Sequence, residues 1–464
     1  MTGENPPAGS RRGAGWAWLV VTAAAALAER ILLFTSYPPV AYHDTASYRR
    51  LAAAILAGWN GYDGTRSPGY PLFLAWLGSD QAVYAAQLLL GLLTTIIFCL
   101  TGWLATRSLG FAAAAGLAHT LNLGQLFFEA NLLTETLTTF WLALALLGVT
   151  AWVYLPGWRG RWLALAAGTA AAAAGQVRPL FVLFPGWVAV FLAATAVPVD
   201  APAQLRALPA WLSRRRLRFL AWGLLPAVIL VGGWMGYIYK NFHVVGVTSM
   251  QGYYQMQHAG VFFELVPDQY AAVRDVYLKY RARQVAQYQS PGNAIWDAIP
   301  ELEKVSGLNF YGLSRLMGQI STRLLWAHPD LYARNLLEGW WMFWRAPVYW
   351  SAQNIANILA QNGLAAAVTL ERYLLASANL FFVSTSLLAL FWRRGRAWLE
   401  LNAWLAFLAV SVWMTSIAQT FLDHGDNPRF LVPLQTFVVL WCLWIATILV
   451  KKWKIRLSKL PTRS

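Results

Sequence analysis

The sequence has 464 residues, of which 58% are hydrophobic and only 12% are charged. Because soluble proteins carry about 25% charged residues, this composition excludes a disordered chain, a collagen and an ordinary soluble enzyme, and it predicts a polytopic membrane protein. The formal net charge of +16 raises the question of a nucleic-acid partner. Cys99 and Cys442 both lie in apolar runs, so they predict neither a disulfide framework nor a zinc site.

Ten apolar stretches approach the roughly 20 residues that a helix needs to cross a bilayer. In chain order they lie at 15–36, 82–106, 108–128, 132–155, 162–177, 180–197, 219–239, 367–391, 399–419 and 430–450. We therefore expect an all-α membrane protein with about 10 transmembrane helices. Arg11 and Arg12 precede the first stretch and no small-residue cleavage site follows it, so this stretch is predicted to be a retained span.

The basic residues fall on one side of the predicted topology. With both termini cytoplasmic, the inside loops hold 19 basic residues but only three acidic ones, Glu4, Asp200 and Glu400. The 19 are Arg11, Arg12, Arg107, Arg159, Arg161, Arg206, Arg214, Arg215, Arg216, Arg218, Arg393, Arg394, Arg396, Lys451, Lys452, Lys454, Arg456, Lys459 and Arg463. This is the positive-inside pattern, so the charge gives no reason to expect nucleic acid.

Two long outer segments divide the chain. We expect an N-terminal transmembrane module over 1–239 with an outer loop at 37–81, an extracytoplasmic helical segment over 240–366, and C-terminal transmembrane helices with a basic tail over 367–464. In the outer segment, charged and aromatic patterns predict helices over 268–288 and 308–326 and another that begins near Pro329.

The first outer loop contains local helix and turn signals. Thr45 to Gly58 predicts a short amphipathic helix, with Thr45 as its N-cap and Gly58 as its C-cap. The run Arg66-Ser67-Pro68-Gly69-Tyr70-Pro71 predicts a turn and an extended segment, because two prolines and a glycine disfavour a helix.

Ionisable residues that belong to the spans lie mostly near their predicted outer ends. They are Glu29, Arg30, Glu129, Glu135, Arg178, Glu371, Arg372 and Arg429. Charged residues in a membrane segment usually mark function or pair with each other. We therefore expect a polar cavity at the outer face, where a lipid-linked substrate could enter.

Asp44 and Arg66 are the leading candidates in the first outer loop. Asp44 is either a helix N-terminal carboxylate stabilised by the helix dipole or a general base, and His43 beside it is a second candidate base. Arg66 is either a solvated loop arginine or a bidentate phosphate ligand.

Two more arginines stand at predicted span ends. Arg178 must pair with a partner, and Glu135 and Glu129 are the candidates. Arg429 either extends to the interface or meets a lipid phosphate.

Several familiar sequence signatures are absent. The sequence has no phosphate-binding glycine loop, no paired Cys or His metal set and no serine-nucleophile elbow. His424 beside Asp423 and Asp426 is the one local histidine cluster, and it is a weak signal.

Several short motifs are distributed along the whole chain, and the order in which they follow one another is informative. They are Asp44-Thr45-Ala46-Ser47-Tyr48, the run from Arg66 to Phe73, Thr134-Glu135, Arg178-Pro179, Pro329 with Tyr332, and Asn427-Pro428-Arg429-Phe430-Leu431-Val432-Pro433. With this order the sequence resembles the GT-C fold glycosyltransferases. It is similar to the branch that contains the protein O-mannosyltransferases and the aminoarabinose transferase of lipid A. The resemblance is strongest over 42–185 and weak over 240–366.

This resemblance implies an inverting transfer of a sugar from a polyprenyl-phosphate donor to a lipid, glycan or protein acceptor. The reaction would take place at the outer face of the plasma (inner) membrane, among membrane lipids and without a cofactor. In this interpretation Asp44 is the catalytic base, and the donor phosphate or lipid head group is bound by Arg66, Arg178 and Arg429. The residues that contact or orient the acceptor would be His43, Tyr48, Glu135 and Tyr70.

One position departs from the mannosyltransferase pattern. Those enzymes have a glutamate after the catalytic aspartate, whereas this chain has Thr45. The difference argues against a protein acceptor and against a metal held by paired carboxylates.

Other functions are compatible with this topology. A lipid-linked oligosaccharide ligase, polymerase or flippase also has ten or more spans and arginines at the outer face. A ligase of this kind would depend on arginine or histidine in the second outer segment, and a flippase would need a polar path through the membrane. A non-catalytic scaffold would need neither Asp44 nor Arg66.

Overall fold

The computed structural model describes residues 8–196, 213–422 and 428–458. Within these ranges the chain forms helices and no strand, with one isolated parallel bridge between Val40 and Asn131. The helices are α1 (Ala8–Ser36), α2 (His43–Leu56), α3 (Gly69–Leu77), α4 (Asp80–Thr106), α5 (Leu109–Thr120), α6 (Leu123–Ala130), α7 (Glu135–Tyr154), α8 (Arg161–Val177), α9 (Phe184–Ala194), α10 (Arg214–Ala227), α11 (Gly233–Phe242), α12 (Gln251–Ala259), α13 (Ala271–Ala286), α14 (Ala294–Ser306), α15 (Phe310–Ala327), α16 (Pro329–Phe343), α17 (Ile358–Phe391), α18 (Arg393–Trp398), α19 (Ala403–Leu422) and α20 (Gln435–Ser458). The all-α prediction is therefore confirmed for the described residues.

Seven helices in the described ranges are long and apolar enough to cross a membrane. They are Gly13–Ser36, Asp80–Thr106, Glu135–Tyr154, Arg214–Phe242, Ile358–Phe391, Ala403–Leu422 and Arg429–Arg456. The other three predicted spans coincide with shorter helices, of which Leu109–Thr120 and Pro179–Ala194 are apolar, so the count of ten stays a prediction. The stretch 108–128 is interrupted, because Asn122 caps α6 by accepting a hydrogen bond from the Gln125 amide, and α5 ends at Thr120.

Several helices that follow each other in the chain run in opposite directions, as α4 does with α5 and α7 with α8. The start of α7 contacts the end of α8 through Glu135 and Arg178, and α11 packs on α2 through Ile238 and Leu51. The opposite ends of these and other helices carry the basic residues. They are Arg107, Arg159, Arg161, Arg214, Arg215, Arg216, Arg218, Arg393, Arg394, Arg396, Lys451 and Lys452.

Small residues let the central helices approach closely. A Cβ on Gly148 of α7 would lie 2.9 Å from the Cβ of Ala167 on α8, and one on Gly223 of α10 would lie 2.9 Å from the Cβ of Ala189 on α9. Such contacts are typical of membrane helices, whose association depends on close packing. The largest buried core lies among α7, α8, α9, α19 and α20.

The outer segment has a core of its own, formed mainly by α12 to α15. Tyr253, Phe263 and Tyr277 are fully buried there. Backbone contacts join this unit to the first outer loop: the Ser249 amide donates to the Gly64 carbonyl oxygen at 2.9 Å. The outer segment is thus docked beside the loop that carries Arg66.

Two local predictions were wrong in detail. Thr45 is not an N-cap, since α2 begins at His43 and the Thr45 hydroxyl instead accepts from the Tyr42 amide. The run 66–71 is irregular only as far as Pro68, because α3 begins at Gly69 and has Pro71 in its first turn, where an absent N–H costs little. The helix predicted at 268–288 is confirmed, as a 3-10 turn Asp268–Tyr270 followed by α13.

Some predicted features lie outside the described residues. They are Glu4, Asp200, Arg206, Lys459, Arg463, Asp426, Asn427 and the cluster of His424 with Asp423 and Asp426, together with the side chains of Arg11 and Arg12.

Candidate functional site

Five charged side chains from four parts of the chain form one connected array, which we call the charged network. Its order is Arg66, Asp44, Arg429, Glu135, Arg178. Arg66 Nη2 lies 2.7 Å from Asp44 Oδ1, and Arg429 Nη2 lies 2.5 Å from Asp44 Oδ2. Glu135 Oε1 lies 3.4 Å from Arg429 Nε and 2.9 Å from Arg178 Nη1. Positive and negative groups alternate, and the formal sum is +1.

Asp44 is held in place by backbone contacts around the start of α2. The Thr45 hydroxyl accepts a hydrogen bond from the Tyr42 amide and donates one to the Leu132 carbonyl oxygen, both at 2.9 Å. Val40 bridges to the same segment, since the Leu132 amide donates to its carbonyl oxygen. These contacts attach the first turn of α2 to the connection before α7, and they bring Asp44 near Glu135.

Arg66 is oriented by an aromatic face and by an ordered turn. Its guanidinium lies 5.4 Å from the centre of the Tyr48 ring, which favours a cation through the ring quadrupole. The Tyr62 hydroxyl donates to the Arg66 carbonyl oxygen at 3.0 Å, and Asp63 Oδ1 accepts from the Thr65 amide at 2.9 Å. The loop therefore presents the arginine in a defined direction.

Glu135 and Arg178 form the deepest part of the charged network. Their side chains are 0% and 8% exposed. Arg178 has extended backbone angles, as the residue before a proline prefers, and this ends α8. Its guanidinium also lies 4.6 Å from the centre of the Phe430 ring. Arg429 enters from the 3-10 turn Pro428–Leu434 and links the deep pair to Asp44.

The electrostatics of Asp44 favour its ionised form. Burial alone would raise the pKa of this carboxyl, but the nearby charges of Arg66 and Arg429 outweigh burial and hold the pKa well below its usual value. Asp44 is therefore an anion at neutral pH and, while both arginines bind it, a weak base. Any event that draws an arginine away makes it more basic.

An apolar groove of about 800 Å³ adjoins the charged network. Three of its lining residues are neighbours of network residues in the chain: Pro68 follows Arg66 by two positions, Leu137 follows Glu135 by two, and Val177 precedes Arg178. The rest of the lining is largely aromatic and aliphatic: Trp59, Gly69, Leu72, Phe73, Trp76, Trp141, Ala173, Gln176, Ile229, Leu230, Gly233, Trp234 and Tyr237. The groove thus lies beside the segments that carry Arg66, Glu135 and Arg178.

A π-helix forms one wall of this groove. Pro226 in α10 lacks an N–H, and the five residues Val228–Gly232 directly after it adopt the wider turn. Gln176 of α8 donates to the Leu230 carbonyl oxygen at 2.9 Å and so compensates a backbone group there. The wall is consequently attached to the helix that ends at Arg178.

The remaining predicted site residues have different environments. His43 is exposed, and its side chain makes no hydrogen bond to another described residue. Tyr48 is buried beneath Arg66 and packs edge-on against Tyr70 with a 5.0 Å separation of ring centres. Tyr70 is fully buried and donates to Gln87 Oε1 at 3.0 Å, so it supports Tyr48 from below.

Sequence reasoning missed Gln87 and Phe430. Gln87 is fully buried in α4, and its amide donates to the carbonyl oxygens of Glu129 and Asn131. A lone glutamine in an apolar span is a signal that would have singled it out. Phe430 follows Arg429 in the chain, and nothing in the sequence indicates that its ring lies against Arg178. The other candidate partner of Arg178, Glu129, instead pairs with Arg30 at 2.6 Å.

No described side chains group as three or more histidine, cysteine or acidic ligands that could hold a metal. No protein-family model, curated protein or solved structure matches the chain.

Proposed function

We propose that this protein is an inverting membrane glycosyltransferase that moves a sugar from a polyprenyl-phosphate donor to an acceptor at the outer face of the membrane. One observation carries the proposal: three arginines and a carboxylate converge in the charged network, and Pro68, Leu137 and Val177, which lie one or two positions from network residues, line an apolar groove of about 800 Å³. A lipid phosphate has the same combination, a long apolar chain joined to an anion.

The charged network suits a phosphate ester in particular. Guanidinium groups bind phosphate oxygens bidentately, and the formal charge of +1 balances a phosphodiester monoanion. The two arginines on Asp44 are also the more accessible ones, with side chains 26% and 15% exposed for Arg66 and Arg429. Arg178 is more deeply buried and holds Glu135 in place.

The chemistry is a single displacement. The acceptor oxygen attacks the anomeric carbon, the bond from that carbon to the phosphate oxygen breaks, and its electron pair leaves with the polyprenyl phosphate. Asp44 takes the proton of the acceptor hydroxyl. The phosphate gains negative charge as the bond breaks, so the arginines stabilise the transition state more than the bound donor.

Donor binding would also activate the base. Phosphate oxygens compete with Asp44 for the N–H groups of Arg66 and Arg429. As each guanidinium turns to the phosphate, its effect on Asp44 weakens and the pKa of the carboxyl rises towards its usual value. The resting site therefore holds the base in a form that becomes effective only when donor is present.

We also propose that ten helices alternate across the membrane, with both termini cytoplasmic and the charged network outside. Two observations support this topology. The short helices α5 and α8 run antiparallel to the helices that precede them in the chain, α4 and α7, and the basic residues lie at the helix ends opposite the charged network.

The test is mass spectrometry of the lipids that co-purify with the detergent-extracted protein. We compare wild type with Asp44→Asn, which removes the base but preserves its size. Asp80→Asn is the matched control, since Asp80 pairs with Arg49 at an exposed helix start. A sugar-bearing polyprenyl phosphate is expected to accumulate only in Asp44→Asn, together with a loss of transfer.

The same variants separate the other functions. A ligase that uses residues of the outer segment 240–366 would retain activity in Asp44→Asn, and a scaffold would be indifferent to both Asp44 and Arg66. Absence of any polyprenyl lipid from wild type and variant would contradict the proposed donor. A fully active Asp44→Asn would contradict the proposed base.

A further inference from the structure

A second groove crosses the outer segment between α12 and α15. Its volume is about 430 Å³, which is within the range of about 300–1,000 Å³ for small-molecule sites. Its lining residues include three glutamines, a threonine and two arginines: Gln251, Gln255, Gln319, Thr322, Arg315 and Arg323. We call it the polar groove.

The floor of the polar groove is rigid and close to the backbone. A Cβ added at Gly252 would overlap the Ser314 carbonyl oxygen, so α12 and α15 can cross here only because this residue is a glycine. The Ser314 hydroxyl donates to the Ser249 carbonyl oxygen at 3.1 Å. The groove is therefore formed before any ligand arrives, and a ligand need not pay to order it.

The two arginines of the polar groove have no acidic partner among the residues that the structure describes. Arg274, Arg281 and Arg334, in neighbouring helices, each pair with a carboxylate. By contrast, Arg315 makes no ion pair with any described residue, and Arg323 only donates to the Tyr270 hydroxyl at 3.3 Å. The groove thus combines two uncompensated positive charges with uncharged polar groups.

The polar groove is adjacent to the loop of the charged network. Ser249, in its floor, donates through its amide to the Gly64 carbonyl oxygen at 2.9 Å, and the neighbouring Thr248 hydroxyl donates to the Thr65 carbonyl oxygen at 3.0 Å. Arg66 is the next residue of that loop. A chain-like ligand in the groove therefore has an end that can lie next to the charged network.

We propose that the polar groove binds an acidic saccharide, the acceptor side of the transfer; the acceptor role rests on the proposed function. Amides and hydroxyls both donate and accept hydrogen bonds, as vicinal sugar hydroxyls require. Guanidinium groups bind the carboxylate or phosphate of an acidic sugar. A peptide that binds by strand addition would need a strand edge to pair with, and the described part of the outer segment has none.

The test measures binding of three probes to the full-length protein in detergent by titration calorimetry. The probes are trigalacturonic acid, the neutral maltotriose and a triglutamate peptide. Arg315→Gln and Arg323→Gln are compared with Lys304→Gln, which removes one exposed charge from α14 outside the groove. Thermal midpoints verify that each variant is folded.

We expect trigalacturonic acid to bind wild type more tightly than either other probe. Each arginine variant should weaken this binding about tenfold, the usual effect of losing one charge-assisted contact, and Lys304→Gln should have no effect. The inference would be overturned if wild type bound maltotriose as tightly as trigalacturonic acid, or bound the peptide more tightly. It would also be overturned if the arginine variants bound trigalacturonic acid as tightly as wild type, or if no probe bound at millimolar concentration.

The outcomes are separable from those of the lipid test. If Asp44→Asn accumulates the donor lipid and no probe binds, the polar groove is not an acceptor site although the proposed function stands. If trigalacturonic acid binds through the two arginines and no lipid phosphate is found, the saccharide site is supported but its role as an acceptor site is contradicted.

Discussion

Gly69 lies where α3 meets the end of α8, between the charged network and the apolar groove. A Cβ at this position would lie 2.6 Å from the Gln176 carbonyl oxygen and 2.8 Å from the Val177 nitrogen. Ordinary contact between such atoms needs about 3.5 Å. Gly69→Ala must therefore move α3 and α8 apart by roughly 0.7–0.9 Å, since backbone atoms cannot turn aside.

Two effects follow from that displacement. Overpacking of this size costs about 1–3 kcal/mol of folding free energy, which offsets the better helix propensity of alanine. The displacement also separates Arg66, three residues before Gly69, from Arg178, two residues after Gln176. A shift of about 1 Å in a site can lower turnover by as much as about 100-fold, although no charged group has changed.

The assay combines the thermal midpoint with the rate of sugar transfer. A loss of 1 kcal/mol lowers the midpoint by roughly 2–4 °C in a chain of about 150–250 residues and by less in a longer one. We therefore expect a fall of a few degrees. Gly186→Ala is the control, because a Cβ there meets no atom within 4 Å, and it should keep both stability and transfer. A Gly69→Ala protein with unchanged midpoint and rate would refute the packing argument.

Three further variants test the charged network and the groove. Glu135→Gln leaves a buried arginine unpaired, so it should lower the free energy of unfolding by about 3–5 kcal/mol; a midpoint equal to wild type would contradict this. The folded-state pKa of Asp44 is depressed, so the stability from its ion pairs is complete above the usual carboxyl pKa and is lost as pH falls through the folded value. Arg66→Gln should raise that folded value, so that Asp44 contributes less stability at neutral pH and its loss on acidification is smaller and is complete at a higher pH; superimposable midpoint–pH curves below about pH 5 would count against it. Gly233→Phe places a ring in the apolar groove and should raise the KM for donor lipid, whereas Gly236→Phe, in equally open space on the same helix, should not; equal KM values would show that the lipid lies elsewhere.

The fold was predictable where single segments carry their own signal. Apolar length identified the seven long helices, and turn chemistry placed the first outer loop between two of them. The break between α5 and α6 was not predictable, because Leu121 and Asn122 interrupt hydrogen bonding within a continuous apolar run. The π-helix after Pro226 was missed for a similar reason, since proline alone does not specify how a helix accommodates it.

The candidate site was predictable as a set of residues but not as a network. Asp44 and Arg66 lie 22 residues apart, so a local loop already suggests that they meet. Asp44 and Arg429 are separated by 385 residues, and no periodicity says which helix ends come together. Glu135 was one of two equal candidates for Arg178, and only three-dimensional packing, which brings Glu129 to Arg30 instead, decides between them.

Arg429 has a particular role in this arrangement, because it alone contacts both carboxylates of the charged network. In the proposed mechanism, a phosphate would draw Arg429 from Asp44 while Glu135 stays in contact with the Nε edge of Arg429 and limits how far the guanidinium can turn. Glu135 is itself paired with Arg178, so the deep ion pair would hold Arg429 in place as the donor competes for it. The pairing that makes Asp44 a weak base at rest would therefore also determine where a phosphate has to lie in order to free the carboxylate. A carboxylate that becomes basic only in the presence of donor would not remove the acceptor proton before the donor is bound. It would thereby link donor binding to acceptor activation through two guanidinium groups.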